Sequence, residues 1–325
     1  MIAVILFNKS NAQSIEEYHQ TANAFMIKGD YTNALIVLTS ALLTNPDNML
    51  LNKDMAQYYY LQNDYQRALD KIFPLLTKDS ADDQCFQIAG NIYKALSKVA
   101  ECEALYKNGI AKFPTSGPLY NELGELLWAQ QKNEAIRYWE KGIEKDPSYP
   151  QNYYNATKYY YKSGEKSWTI LYGEIFVNMD PRNVKTPEIK TMLLQSYKKL
   201  FGEFSENQLS KDSNAFVKKF LTNMYKQRDL SSLGITTSSL IMIRTRFLLD
   251  WNHAQTDSIA FQLFTYHQQL LQEGLFEAYN QWLFGAAENL VNFQNWVQNH
   301  TAAYDNFVKY HKNHLFKMPS GQYYH

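Results

Sequence analysis

The chain has 325 residues, and its charges balance, with 32 Lys and Arg against 32 Asp and Glu. A neutral chain lacks the broad positive field by which most proteins bind nucleic acid, so neither DNA nor RNA is expected as a partner. Aromatic residues make up 15% of the sequence, including 25 Tyr, whereas Gly and Pro number only 13 and 9. This composition favours helices that pack through large side chains over a loop-rich fold.

A short apolar run, from Ile2 to Phe7, opens the sequence and is followed by small residues at Ser10 and Ala12. This order is that of a short or truncated signal peptide over residues 1–12, with cleavage at Ala12, although no basic residue precedes the run. It predicts an exported protein, periplasmic or extracellular, and the alternative is a cytoplasmic protein with a strand-like tail. No later stretch approaches the ~20 apolar residues of a membrane span.

Prolines and small residues recur with a period close to 34 residues over the first half of the chain. The prolines are Pro46, Pro114, Pro147 and Pro181. Two series of small residues keep the same period, namely Ala22, Ala56, Gly90 and Gly124, and then Ala34, Ala68, Cys102 and Ala135. Turn-forming residues lie between the two series, as at Gly29-Asp30. Two phased series separated by a turn predict a repeating helix-turn-helix unit.

The third repeat carries the pattern most fully, with Phe86, Ala89, Gly90 and Tyr93 followed by Cys102, Tyr106 and Pro114. In order and spacing this pattern resembles the tetratricopeptide repeat family. The resemblance implies an all-α fold, a right-handed superhelical solenoid of about five helix pairs over residues 13–181. The predicted pairs are 15–46, 49–80, 83–114, 117–147 and 150–181.

The remaining residues, 182–325, are predicted to form a helical C-terminal domain. Apolar residues at spacings of three and four predict helices at 190–204, 213–227, 238–251 and 258–272, and from 276 onward past Trp296. Ala278, Trp282 and Gly285 repeat the spacing of Ala135, Trp139 and Gly142, which suggests a divergent helix pair at 257–290. This domain is predicted either to cap the solenoid or to form a second binding module.

Cys85 and Cys102 are too few for a disulfide framework. Because Cys102 stands where the repeat needs a small buried residue, we predict buried free thiols.

In the tetratricopeptide family the first helix of each pair forms most of the concave surface. The residues at these positions are His19, Asn23, Lys53, Gln57, Gln87, Asn91, Asn121, Glu125, Tyr154 and Lys158, with Tyr60, Lys94, Trp128 and Tyr161 further along the same helices. Amide side chains are frequent among them, and each can donate to and accept from the backbone of an extended peptide. The family's clamp for carboxylate termini is not matched, because Gln87 and Ile88 stand where charge is needed.

Motifs for phosphate binding, dinucleotide binding and nucleophilic catalysis are not found in the sequence. We therefore predict a protein-protein interaction scaffold without catalysis, cofactor or metal, which binds a protein or an extended peptide and belongs to a larger complex in one version of the hypothesis. One alternative is an enzyme or metal-dependent protein with its site around His267, Glu273, His311 and His314. Another is a structural subunit of a cell-envelope complex.

Overall fold

A computed structural model describes residues 14–203, 214–232, 234–253 and 259–325. Every regular element in these ranges is helical, which confirms the predicted all-α class. The predicted signal peptide, residues 1–12, lies outside the described residues. The chain divides into two compact units, Met1–Pro114 and Thr115–His325. This division falls between the third and fourth predicted repeats, and the predicted domain boundary after residue 181 stays a prediction.

The first unit is built from three pairs of antiparallel helices. Their bounds are α1 Ile15–Ile27, α2 Tyr31–Thr44, α3 Met49–Leu61, α4 Tyr65–Leu76, α5 Asp83–Ala95 and α6 Val99–Lys112. Side chains cap the amino ends of most of these helices. Ser14 forms a capping box with Glu17, and Asp30, Asn48, Asp64 and Asp82 each accept a hydrogen bond from the backbone three residues on. Such caps satisfy backbone donors that have no partner within the helix.

The second unit contains two further pairs and then the helices of the C-terminal region. Their bounds are α7 Gly117–Ala129, α8 Ala135–Lys145, α9 Pro150–Ser163, α10 Lys166–Met179, α11 Thr186–Gly202, α12 Ala215–Tyr225, α13 Thr237–His253, α14 Gln262–Gln272, α15 Phe276–Asn280, α16 Ala286–Glu288, α17 Leu290–Asn299 and α18 Thr301–Asn313. A 3₁₀ turn spans Arg228–Ser231, and a π-helical turn spans Gln281–Gly285. No described helix is both long enough and apolar enough to cross a lipid bilayer.

All five pairs use the same turn between their two helices. One residue of each turn has a positive φ, at Gly29, Asn63, Ser97, Gln131 and Gly164. The next residue donates its backbone N–H to the carbonyl five residues earlier, over 2.9 to 3.0 Å, from Asp30, Asp64, Lys98, Lys132 and Glu165. This left-handed residue with its long-range bond is the Schellman ending of a helix. The five turns therefore have one geometry at the 33- to 34-residue period of the sequence.

Small residues of one helix receive aromatic side chains of the other. A methyl group added to Gly90 would lie 2.2 Å from the hydroxyl of Tyr106, and one added to Gly124 would lie 2.3 Å from Nε1 of Trp139. Both aromatic side chains are fully buried. The two cysteines, Cys85 and Cys102, are buried free thiols, as predicted.

The helical stretch predicted from residue 276 onward is interrupted. The π-helical turn at Gln281–Gly285 falls within it, and Asn289 is extended, with φ of −158° and ψ of 112°. The Asn289 side chain accepts a hydrogen bond from the N–H of Asn292 over 2.9 Å and so begins a new helix. Asparagine favours such caps because its short side chain competes for backbone groups. The divergent pair predicted at 257–290 stays a prediction.

Candidate functional site

In the first unit, polar side chains join each first helix to the next. Nδ1 of His19, on α1, lies 2.7 Å from Oδ2 of Asp54 on α3. Lys53, also on α3, donates from Nζ to Oδ2 of Asp82 over 2.5 Å and to Oε1 of Gln84 over 2.7 Å. These contacts place the predicted residues His19 and Lys53 on the face that α1, α3 and α5 share.

Burial sets the charge balance of these anchors. Lys53 is only 6% exposed, so its ammonium group is held by its carboxylate and amide partners and is not open to solvent. Burial raises the pKa of Asp54 above its usual range, although His19 opposes this effect. Burial also disfavours the charge of Asp82, but the hydrogen bond from Lys53 outweighs it and lowers the pKa of this carboxyl group. The sequence analysis did not identify Asp54, Asp82 or Gln84 as members of this face.

Three predicted amides of the same face, on Gln57, Gln87 and Asn91, are half-buried. In the described part of the chain, these three side chains make no hydrogen bond. Asn23 contacts the ring of His19 at 3.1 Å, and the ring of Tyr60 packs against Tyr65 with centroids 6.0 Å apart. Nζ of Lys94 lies 5.9 Å from the ring centroid of Tyr106. The face thus alternates fixed ion pairs with amides that retain hydrogen-bonding capacity.

In the second unit, an amide connects α7 to α9. Nδ2 of Asn155 donates to Oδ1 of Asn121 over 2.8 Å and to Oε1 of Glu125 over 3.0 Å. Asn121 and Glu125 were predicted, whereas Asn155 was not. A signal was present, because Asn155 follows Asn121 by 34 residues, but the shorter fourth repeat favoured Tyr154 as the equivalent position.

Tyr154 is the centre of a charged cluster between α9 and α11. Its hydroxyl donates to Oε2 of Glu188 over 3.1 Å and accepts from Nζ of Lys158 over 3.2 Å. Nζ of Lys185 lies 4.3 Å from the centroid of the Tyr154 ring. Trp128 packs edge-on against Tyr159 at 5.4 Å, with Nζ of Lys162 at 4.7 Å from its centroid. Tyrosine, tryptophan and lysine here form an amphipathic surface of the kind that binds side-chain anchors.

The four C-terminal residues considered for an enzyme site are not brought together. His267 is buried against Glu174, with 2.8 Å between Nε2 and Oε1. Glu273 is exposed, and His314 is exposed and stacks on Tyr310. Nδ1 of His311 contacts the hydroxyl of Tyr266 at 2.9 Å. Among the described residues, no three His, Cys, Asp or Glu side chains converge as metal ligands.

A buried polar network surrounds His267. Arg244 binds Glu174 and Asn280, and the hydroxyl of Tyr279 donates to Oε1 of Glu174 over 2.6 Å. Burial disfavours the charge of Glu174, but Arg244 and then His267 outweigh it and lower the pKa of this carboxyl group to about 2. Burial lowers the pKa of His267. The adjoining cavity holds no more than about one water molecule, so the network joins helices and offers no room for a substrate.

The repeated turn and the aromatic-on-glycine packing show that the five helix pairs have the tetratricopeptide repeat fold, which confirms the resemblance found in the sequence. Arrays of this fold present extended surfaces to other proteins and serve in general as interaction scaffolds.

Several solved structures are similar to this chain. A thermophilic tetratricopeptide repeat protein of Thermus thermophilus is 13% identical, with a TM-score of 0.45, over 57% of this chain and 99% of that chain. The pilF protein of Pseudomonas aeruginosa is 17% identical, with a TM-score of 0.47, over 56% and 83%. A repeat protein of Parabacteroides merdae ATCC 43184 is 16% identical, with a TM-score of 0.42, over 78% and 97%. No protein-family model and no curated protein matches the chain.

Proposed function

We propose that this chain is a protein-interaction scaffold whose first-helix faces bind an extended segment of a partner protein by equilibrium binding alone. The observation that carries the proposal is the arrangement on the face of α1, α3 and α5. The ion pairs His19–Asp54 and Lys53–Asp82 fix the spacing of the three helices. The amides of Gln57, Gln87 and Asn91 lie between these pairs, half-buried.

Such amides suit the backbone of an extended peptide. A peptide bond offers one N–H and one C=O, and a carboxamide can satisfy both at once. Because the amides are already half-buried on rigid helices, little conformational entropy is lost when the partner binds. The lysines of the face are engaged by carboxylates, so the proposal does not require an acidic partner.

Selection of peptides from a displayed random library on the purified full chain tests this proposal. The affinity of a selected peptide is then measured by fluorescence anisotropy for the parent and for a Gln57→Ala, Asn91→Ala double variant. Two lost hydrogen bonds remove about 1 to 3 kcal/mol, so we expect affinity to fall at least tenfold.

The matched control carries Gln20→Ala and Gln66→Ala, which remove two exposed amides whose partners, Glu16 and Asp70, lie on their own helices. This control should bind like the parent. Equal affinity of the two double variants, with both still folded by circular dichroism, would show that the peptide binds elsewhere.

Export from the cytoplasm and membership of a larger envelope assembly also stay proposals. Fractionation of cells that express the full chain, followed by mass spectrometry of its amino terminus, tests export. A chain that begins at residue 13 in the exported fraction is the expected result, and an intact first residue in the cytoplasmic fraction would contradict it.

A further inference from the structure

Residues 315–325 follow α18 as a segment without helical structure, yet they pack closely against the second unit. Phe316 and Met318 are each only 6% exposed. Tyr323 and Tyr324 are half-buried, and the side chain of His325 is 34% exposed. This part of the chain thus has the form of a bound peptide, with anchored side chains on an extended backbone.

The anchors of the segment are mainly side-chain contacts. Tyr324 stacks on Phe216 with centroids 4.7 Å apart, and its hydroxyl donates to the carbonyl of Ala260 over 2.6 Å. Nδ2 of Asn214 donates to the carbonyl of Tyr324 over 2.6 Å. The N–H of Gln262 donates to Oε1 of Gln322, also over 2.6 Å. These contacts involve α12 and the start of α14.

His325 completes the binding by inserting between α8 and α9. Its Nδ1 lies 3.0 Å from Oε1 of Glu140, and its Nε2 lies 2.8 Å from the hydroxyl of Tyr160. The hydroxyl of Tyr160 in turn donates to Glu140. The imidazole also packs edge-on against Trp168, with centroids 4.8 Å apart. Three polar groups therefore form a closed triangle beside an aromatic wall.

The proton count of this triangle favours a cation. An imidazolium supplies two N–H groups and the phenol supplies one O–H, so each of the three contacts has a proton and Glu140 can remain a carboxylate. A neutral imidazole would leave one contact without a proton. Burial raises the pKa of Glu140 to about 7, although the hydrogen bond from Tyr160 opposes this shift. A positive charge on the occupant therefore stabilises a carboxylate that is otherwise poorly solvated.

The surface under the segment is not completely filled. A void with room for no more than about one water molecule lies between it and α9 and α10, and it is lined by Tyr153, Trp168 and Tyr172 on one side and by Tyr323 and Tyr324 on the other. The hydroxyl of Tyr172 is buried and has no hydrogen-bond partner among the described residues. An occupant other than this segment could supply that partner.

We propose that this surface, defined by Glu140, Tyr160, Trp168, Tyr172, Phe216 and Phe261 and named the tail groove, binds an extended partner peptide with two adjacent aromatic residues followed by a cationic side chain. Residues 318–325 occupy the groove as an intramolecular ligand, which such a partner displaces. The tail groove lies on α8, α9, α10 and α12 and uses none of the amides of the proposed first-helix face. Its failure and that of the proposed function are therefore distinguishable.

Displacement is the step that needs explanation, because an attached segment has an effective concentration in the millimolar range. A free peptide with the same contacts competes poorly with it. Any change that weakens the attached segment while leaving the groove intact should therefore increase binding of the free peptide. A partner with a better side chain for Tyr172 or a stronger cation for Glu140 would have the same advantage.

The test uses a fluorescent peptide with the sequence of residues 318–325 and the full chain as parent. The tail variant carries Tyr324→Ser and His325→Ser, which change the attached segment only. We expect the tail variant to bind the peptide at least tenfold more tightly than the parent does. Adding Glu140→Gln to the tail variant should reverse at least part of this gain. A control peptide whose last residue is glutamate in place of histidine should bind more weakly.

Circular dichroism and the urea midpoint establish whether the tail variant is folded, and the single His325→Ser variant replaces it if it is not. Equal binding to parent and variant, or binding to neither, would overturn the proposal. Dimers of the parent that form with increasing concentration and are absent in the tail variant would also overturn it. The groove would then be filled by a second copy of the chain and not by its own segment.

Discussion

Arg244 and Glu174 form an ion pair whose side chains are only 3% and 2% exposed. Glu174 lies on α10, the second helix of the fifth repeat, and Arg244 lies on α13. The pair therefore ties the last repeat to the C-terminal helices within the second unit. Desolvation of two charges is costly, and the hydrogen bonds from Tyr279 and to Asn280 offset part of that cost.

Arg244→Met should destabilise the protein strongly, because it leaves the carboxylate of Glu174 buried with its main counter-ion removed. Loss of one partner of a buried pair costs about 3 to 5 kcal/mol. The double variant Arg244→Met, Glu174→Leu should recover a large part of this loss, because no unpaired charge remains. Urea unfolding at pH 7 measures both free energies. A double variant that is less stable than Arg244→Met would contradict the charge argument.

Gly124→Ala should destabilise the fourth repeat. The added methyl group would lie 2.3 Å from Nε1 of Trp139, which is 1% exposed and cannot move into solvent. Overpacking of this kind costs about 1 to 3 kcal/mol. Gly202→Ala is the control, because no atom lies within 4 Å of its added methyl group. Thermal unfolding should show a lower midpoint for the first variant and an unchanged or higher one for the second.

Gln131→Gly should stabilise the protein, because Gln131 occupies the turn between α7 and α8 with a φ of 60°. A left-handed conformation costs a residue with a side chain about 1 kcal/mol, and glycine adopts it freely. The reciprocal change, Gly164→Ala, places a side chain at a φ of 87° in the equivalent turn and should destabilise by a similar amount. Opposite signs in the urea midpoints are the expected result. Midpoints that move in the same direction would refute the shared turn geometry.

Stability should fall as the pH drops from 7 to 5, partly because of His311. Burial, and then the charge of Lys190, lower the pKa of His311 to about 4 from a usual value of 6.5. Between these values the unfolded chain binds more protons than the folded one, so stability decreases as pH falls below about 6.5. The 1.5 pH units down to pH 5 correspond to at most about 2 kcal/mol.

His311→Gln should make the urea unfolding free energy less dependent on pH over this interval. His314→Gln is the control, because His314 is exposed and stacks on Tyr310 outside the core. The control should keep the pH dependence of the parent. An unchanged slope in His311→Gln would mean that the burial of this imidazole does not oppose its protonation.

The helix pairs were predictable because their determinants are local or periodic. A turn needs a residue that tolerates positive φ, and a close helix crossing needs a small residue, so Gly29, Gly90 and Gly124 recur with a fixed spacing. The same period identified Asn121 and Glu125 as neighbours on one face. It did not identify Asn155, because the fourth repeat is one residue shorter and the equivalent position became ambiguous by one residue.

The sequence by itself determined the helical class, the repeat period and the residues that pack within each pair, because each of these depends on interactions over about 34 residues. Only the tertiary structure decided which partners the buried charges have. Arg244 and Glu174 are separated by 70 residues, and His325 and Tyr160 by 165. No periodic signal links such positions, because their contact depends on how the C-terminal helices pack around α10. Burial then sets the strength of each contact, since the same ion pair is weak in water and strong where water is excluded.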